Sequence, residues 1–227
     1  MGTARGRKTM LGAVLEALGL WALVLAGSMA LTSLAASALG VEDDRVLGAV
    51  SQGSFIVLSL VLARLVGIWG QLGLTPDLGS SLRALVVSLP AALVVAIPAA
   101  RLAQGYRPPF LPEDLPSRLA FALALAPVGE EIFFRGLLEG QLLSTLGAGS
   151  GAGLWIAIII PAALFSLVHV APFSKAPRGY LASVLVGAFV VGLLAGHFRA
   201  VSGSLAPAVV THASFNLAGM IVEKVVG

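Results

Sequence analysis

Two adjacent carboxylates, Glu130 and Glu131, and a guanidinium, Arg135, stand inside the apolar run Ala126-Pro127-Val128-Gly129-Glu130-Glu131-Ile132-Phe133-Phe134-Arg135-Gly136. A charge at the centre of a membrane helix costs roughly 2.5–3.5 kcal/mol on insertion scales, so it needs a reason to be there. On an α-helix, residues four apart share a face. Glu131 and Arg135 therefore pair along the chain, and Glu139 extends the ladder by one more turn. Glu130 is rotated off that face and has Phe134 four residues on, which leaves it without a local counter-ion. The spacing suggests a division of labour in which Glu131 and Arg135 are structural and Glu130 does chemistry.

The chain has three histidines, and two of them stand in apolar segments at helical spacing from another notable residue. Phe165 and His169 are four apart, as are His212 and Asn216, so each pair faces one way on its helix. Taken singly, each of these histidines is explained by one interhelical hydrogen bond. His197, beside Arg199 at an expected helix end, reads as interfacial. Taken together, Glu130, His169, His212 and Asn216 point to one polar, water-accessible site within the membrane. A carboxylate there is poised to take a proton from water, and a neighbouring histidine can orient that water or share the proton. His212 and Asn216 can donate hydrogen bonds to a developing oxyanion. That is the equipment for peptide hydrolysis without a covalent intermediate.

Other protease chemistries lack their residues. No Gly-x-Ser-Gly string marks a membrane serine nucleophile, and no His-Glu-x-x-His marks a zincin. Asp43, Asp44, Asp77 and Asp114 all fall in polar connections, which leaves no aspartyl pair within the membrane. One metal arrangement stays open, a two-His, one-carboxylate set of Glu130, His169 and His212. The metal-independent reading is preferred, and no cofactor is expected.

Seven apolar segments are expected to position these residues. The first, 10–39, follows Arg5, Arg7 and Lys8, contains Glu16 in its first turns, and is too long for a signal-peptide h-region; it reads as a retained helix with its N-terminus in the cytoplasm. The second, 46–71, contains Arg64, which either snorkels to the surface or pairs within the bundle. The third, 82–102, is expected to be capped by Ser80 or Ser81 and to be kinked or irregular at Pro90 and Pro98. The longest polar connection, 104–117, ends at Ser117, the expected N-cap of a fourth helix, 118–146, that carries the glutamates. A Gly/Ser turn, 147–153, makes the fifth segment, 154–170, its antiparallel neighbour. The sixth, 179–198, has small residues suited to close packing, and the seventh is 206–225.

Composition agrees with this reading. Of 227 residues 58% are hydrophobic and 11% charged, and the mean hydropathy is +0.98, far from the balance of a soluble domain. The expected fold is all-α: a polytopic membrane bundle of about seven helices, forming one domain over 1–227 with a catalytic core at 118–217. Cysteine is absent, which excludes disulfides and thiolate catalysis. The net charge of +3 is spread over segment ends, as interfacial anchors are, so no nucleic-acid partner is expected. The basic residues do not fix an orientation, since an N-in arrangement places Arg101, Arg107, Lys175 and Arg178 outside.

In order along three hydrophobic segments, Glu130-Glu131-x-x-x-Arg135, Phe165-x-x-x-His169 and His212-x-x-x-Asn216 resemble the CPBP family of CAAX proteases and bacteriocin-processing enzymes, also called the Abi family. Its members are intramembrane glutamic endopeptidases and include the eukaryotic Ras-converting CAAX endopeptidase. The resemblance spans about 118–217. It implies that Glu130 is the catalytic glutamate, His169 its partner in activating water, and His212 and Asn216 the oxyanion hole, with Glu131, Arg135 and Phe165 supporting the site. Relatives act on different substrates, and some have eight spans.

The richness in Ala, Leu and Gly suggests a bacterial inner-membrane protein. The expected partners are the lipid bilayer and a substrate that is a membrane-associated peptide or protein C-terminal tail. Two other classes stay open: a non-catalytic immunity or scaffold protein that binds a peptide in the same cavity, and a proton-coupled transporter using Glu130 and the histidines as a relay. The transporter class usually shows an internal repeat, of which the sequence has no sign.

Overall fold

A computed structural model describes residues 9–147 and 151–226; Arg5, Arg7, Lys8 and the turn residues 148–150 lie outside the described residues. Among the described residues the chain forms seven helices: α1 (Met10–Ala38), α2 (Asp44–Leu65), α3 (Leu78–Ala103), α4 (115–146), α5 (Gly151–Val168), α6 (Arg178–Ser202) and α7 (Ala206–Val226). All but α4 are long and apolar enough to cross a membrane. The polarity of the bundle is inverted relative to a soluble protein. Val94 on the outside is 74% exposed, whereas Glu131, Arg135 and Glu139 on the inside are wholly buried. Such a surface belongs against lipid, where backbone groups must also bond within the chain, as they do in helices. The protein is a multi-pass membrane protein.

The helix starts follow capping chemistry. Asp43 accepts from the Arg45 N–H, Asp77 from the Ser80 N–H and Asp114 from the Ser117 N–H. The third and fourth helices are thus capped by aspartates, not by the expected serines; Ser80, Ser81 and Ser117 lie inside the first turn. An aspartate carboxylate satisfies the orphan amides and also meets the positive end of the helix dipole. The Ser80 and Ser117 amides hold the Asp77 and Asp114 carboxyls below their usual range. The stabilisation this implies is present above the ordinary carboxylate range and is lost as pH falls through the lowered values.

The second helix ends earlier than expected, at Leu65. Gly67, at φ +77°, turns the chain there, and a short 3₁₀ turn follows at Trp69–Gln71. Arg64 is exposed at that helix end, where a snorkelling side chain belongs, and is not buried in the bundle. The segment after the turn is tied to the α6–α7 connection: the Leu205 N–H donates to Gly73 O at 2.7 Å, and Ser204 Oγ to Thr75 O at 2.6 Å. Arg199 completes this tie by donating to Gln71 O. It is buried and is not the interfacial residue expected from its place near a segment end. The third helix runs through Pro90 and Pro98 without interruption.

The central element is α4, which packs against α1, α2, α5, α6 and α7. Every residue from 131 to 142 is buried. It is not the plain α-helix expected, because π turns occupy Phe121–Leu125 and Ile132–Glu139. Such turns insert a residue into the helical register and are frequent at functional sites. Glu16 on α1 is drawn to this element, accepting from Gln141 Nε2 at 2.8 Å.

Close approach to α4 depends on glycines of α6. A Cβ on Gly192 would lie 2.7 Å from Ala162 Cβ and 3.1 Å from Arg135 Nη2, and one on Gly196 3.0 Å from Glu139 Oε2. The pair forms a G-x-x-x-G stripe against α5 and the charged face of α4. Gly192→Ala is expected to overpack this contact and to destabilise the folded protein by about 1–3 kcal/mol. Thermal unfolding in detergent reads this, and an unchanged midpoint would contradict the packing described.

Candidate active site

Three helices converge where α4 carries its glutamates. Arg135 Nε lies 3.2 Å from Glu131 Oε2, and Nη1 donates to Glu131 Oε1 at 3.3 Å, with both side chains fully buried. The pairing expected from spacing is present although the register between these residues enters a π turn. Glu131 Oε1 also accepts from His212 Nδ1 on α7, at 2.9 Å. A carboxylate only accepts, so Nδ1 carries the proton of the neutral ring. The other ring nitrogen, Nε2, then faces Glu130, 3.7 Å from Oε2.

Glu130 differs from its neighbour in access. Its side chain keeps 13% exposure, against none for Glu131. Its counterpart for Oε1 comes from α2, where Gln52 Nε2 donates at 2.8 Å. The close approach of α2 requires Gly129, since a Cβ there would meet Gln52 Oε1 at 2.7 Å and Gln52 O at 2.9 Å. Sequence reasoning missed Gln52. The only signal was an amide in an apolar segment, seven positions before Ser59 on what proves to be the buried stripe Gln52, Phe55, Ser59 and Ala63.

Phe165 joins the pieces. The Arg135 guanidinium carbon lies 4.6 Å from the centre of its ring, a cation–π contact in a site without water competition. The His169 and His212 rings meet it edge-on at 4.8 and 5.4 Å. His169 follows directly after the last residue of α5 and not within the helix; its Nδ1 donates to Phe165 O at 2.7 Å. That bond fixes the tautomer and leaves Nε2 unprotonated in the neutral ring. Glu130 is the carboxylate whose field reaches this ring.

Asn216, one turn beyond His212, donates from Nδ2 to Ala122 O at 2.8 Å, within the first π turn of α4. One of its two N–H bonds is thus committed, and the other remains. His197 is exposed near the end of α6, at an interfacial position. Among the described residues no three His, Asp or Glu side chains are grouped as a metal site. Over the His169 turn lies an aromatic group from two connections and the first turn of α6: Phe173 stacks on His169 at 6.2 Å, with Phe110 at 5.6 Å and Tyr180 at 6.0 Å from Phe173.

Residues 112–218 match the family model described as type II CAAX prenyl endopeptidase Rce1-like. The matched stretch contains every site residue just described except Gln52 and Phe110. Comparison with curated proteins and with solved structures found no match.

Removing one partner of the buried Glu131–Arg135 pair strands the other in a low-dielectric interior. Arg135→Ala is expected to cost about 3–5 kcal/mol of stability, and the double replacement Glu131→Leu with Arg135→Met to cost less than Arg135→Ala alone. Thermal unfolding of the purified variants checks the order; a neutral Arg135→Ala would contradict the pairing.

Proposed function

We propose that this chain, whose residues 112–218 are of the CAAX protease family, is a metal-independent glutamic endopeptidase that cuts a membrane-associated peptide or a protein C-terminal tail. The match supports the coarser statement, a membrane protease of CAAX type. The observation that carries the finer one is the placing of Glu130: a carboxylate with residual exposure, facing His212 across 3.7 Å, inside an otherwise sealed bundle.

In this reading Glu130 accepts a proton from water as the water oxygen bonds to the scissile carbonyl carbon. His169 Nε2, left free by the bond from Nδ1 to Phe165 O, accepts the second hydrogen bond of the same water and orients it. The carbonyl becomes an oxyanion. The free N–H of Asn216 donates to it, and so does His212 Nε2 when the ring carries both protons. The bond from His212 Nδ1 to Glu131 makes that requirement specific, because a singly protonated ring has its proton on the wrong nitrogen. Collapse of the intermediate breaks the C–N bond, and the proton held by Glu130 passes to the leaving amine.

Glu131, Arg135 and Phe165 hold the geometry without touching substrate. The inner membrane of a bacterium is the proposed location, with the tail presented from the lipid phase or its surface.

The test compares cells carrying the wild type with cells carrying Glu130→Gln, scoring by mass spectrometry which membrane-anchored proteins or peptides keep a terminal segment. A discrete set of uncut species is expected in the variant, at equal protein level, and His169→Ala should give the same set. Normal processing in the Glu130→Gln cells would exclude this carboxylate as the base and favour a binding or immunity role.

A further inference from the structure

Gln52 lies outside the segment that matches the family model, yet its side chain donates a hydrogen bond to the partly exposed Glu130. Its side chain is about nine-tenths buried, and its own Oε1 has no hydrogen-bond partner among the described residues. An ionised carboxylate only accepts, so the amide nitrogen is the end that must face Glu130. Three features fix where that nitrogen sits. The backbone of α2 is held within contact of Gly129, one residue before Glu130. Phe55, one turn along, packs on Phe133 with ring centres 5.2 Å apart. On the far side, Ser51 is bonded to Ser28 of α1, with the two hydroxyl oxygens 3.2 Å apart.

We propose that Gln52 is a positioning residue for Glu130: by donating to Oε1 it fixes the carboxylate plane and leaves Oε2 as the oxygen that takes the proton of the attacking water. This rests on Glu130 acting as the base. The geometry gives the two oxygens different tasks. Oε1 is occupied by an N–H donor at 2.8 Å, so a proton arriving there would meet another hydrogen. Oε2 faces the imidazole of His212, on the side where the oxyanion donors stand. The water O–H bond breaks toward Oε2, the hydroxide oxygen bonds to the carbonyl carbon, and the same proton leaves from Oε2 to the departing nitrogen.

Steady-state cleavage of the tail substrate in proteoliposomes tests this with Gln52→Leu, Gln52→Glu and Glu130→Gln side by side. Gln52→Leu is expected to lower kcat about 10- to 100-fold, the loss of one hydrogen bond to a charged group, with KM within about two-fold and an unchanged unfolding midpoint. Gln52→Glu keeps the size of the side chain but sets a carboxylate against a carboxylate, so its kcat should fall below that of Gln52→Leu. A shape-filling role predicts the reverse order. An unchanged kcat in Gln52→Leu, a change confined to KM, or a Gln52→Glu variant as active as Gln52→Leu would overturn the proposal while Glu130→Gln stays inactive. Failure of both Gln52 variants to fold would make the residue structural and overturn it as well. Wild-type turnover in Glu130→Gln would remove the base and the positioning proposal together.

Discussion

Burying Arg135 with no exposure in a lipid-facing bundle is the constraint around which the structure is arranged. The guanidinium needs a carboxylate, an apolar enclosure and neighbours that tolerate close approach. Glu131 supplies the first at 3.2 Å, the Phe165 ring the second at 4.6 Å, and the glycine stripe of α6 the third. Desolvation of both charges costs several kcal/mol per ion, and their attraction offsets this only when the remaining hydrogen-bonding capacity is used. Glu131 uses part of it, through Oε1, on His212, which brings α7 to the same point. The ion pair thereby fixes α5, α6 and α7 against α4, and the orientation of both histidine rings follows from it.

A second buried charge group stands further along α4. Glu139 is fully enclosed. Arg199 in turn donates to the carbonyl of Gln71, which closes the end of the bundle between the 3₁₀ turn and the α6–α7 connection. The Glu139 carboxyl oxygens have no hydrogen-bond partner among the described residues, so the ladder expected from Glu131 and Arg135 does not extend to a hydrogen bond at Glu139. Glu130 stands one residue away from this buried scaffold, on the side that retains access.

Much of the site was legible because membrane insertion penalises charge, so each ionisable residue in an apolar segment carries information. That is why Glu130, Glu131, Arg135, His169, His212 and the seven segments could be placed from types and spacing alone. Gln52 was not legible, since an uncharged amide is tolerated in a membrane helix and its partner is 78 positions away. The π turns were not legible either, because an inserted residue leaves the local composition unchanged. Arg199 misled for a different reason: a basic residue near a segment end looks interfacial, and only the fold of the 69–75 segment beneath it makes the position interior. The cap assignments failed by three or four residues, because an aspartate upstream of each serine captures the amides of the first turn.

The central claim is that the membrane carboxylate activates water instead of bonding to the substrate. A single turnover of excess enzyme in ¹⁸O-labelled water, using a tail substrate, tests this most directly. Direct attack by water places the label in the new carboxyl group of the product and leaves the peptide containing Glu130 at its natural mass. Label found in the Glu130 carboxylate would mean that an acyl-glutamyl intermediate had formed and been hydrolysed, and would contradict the account.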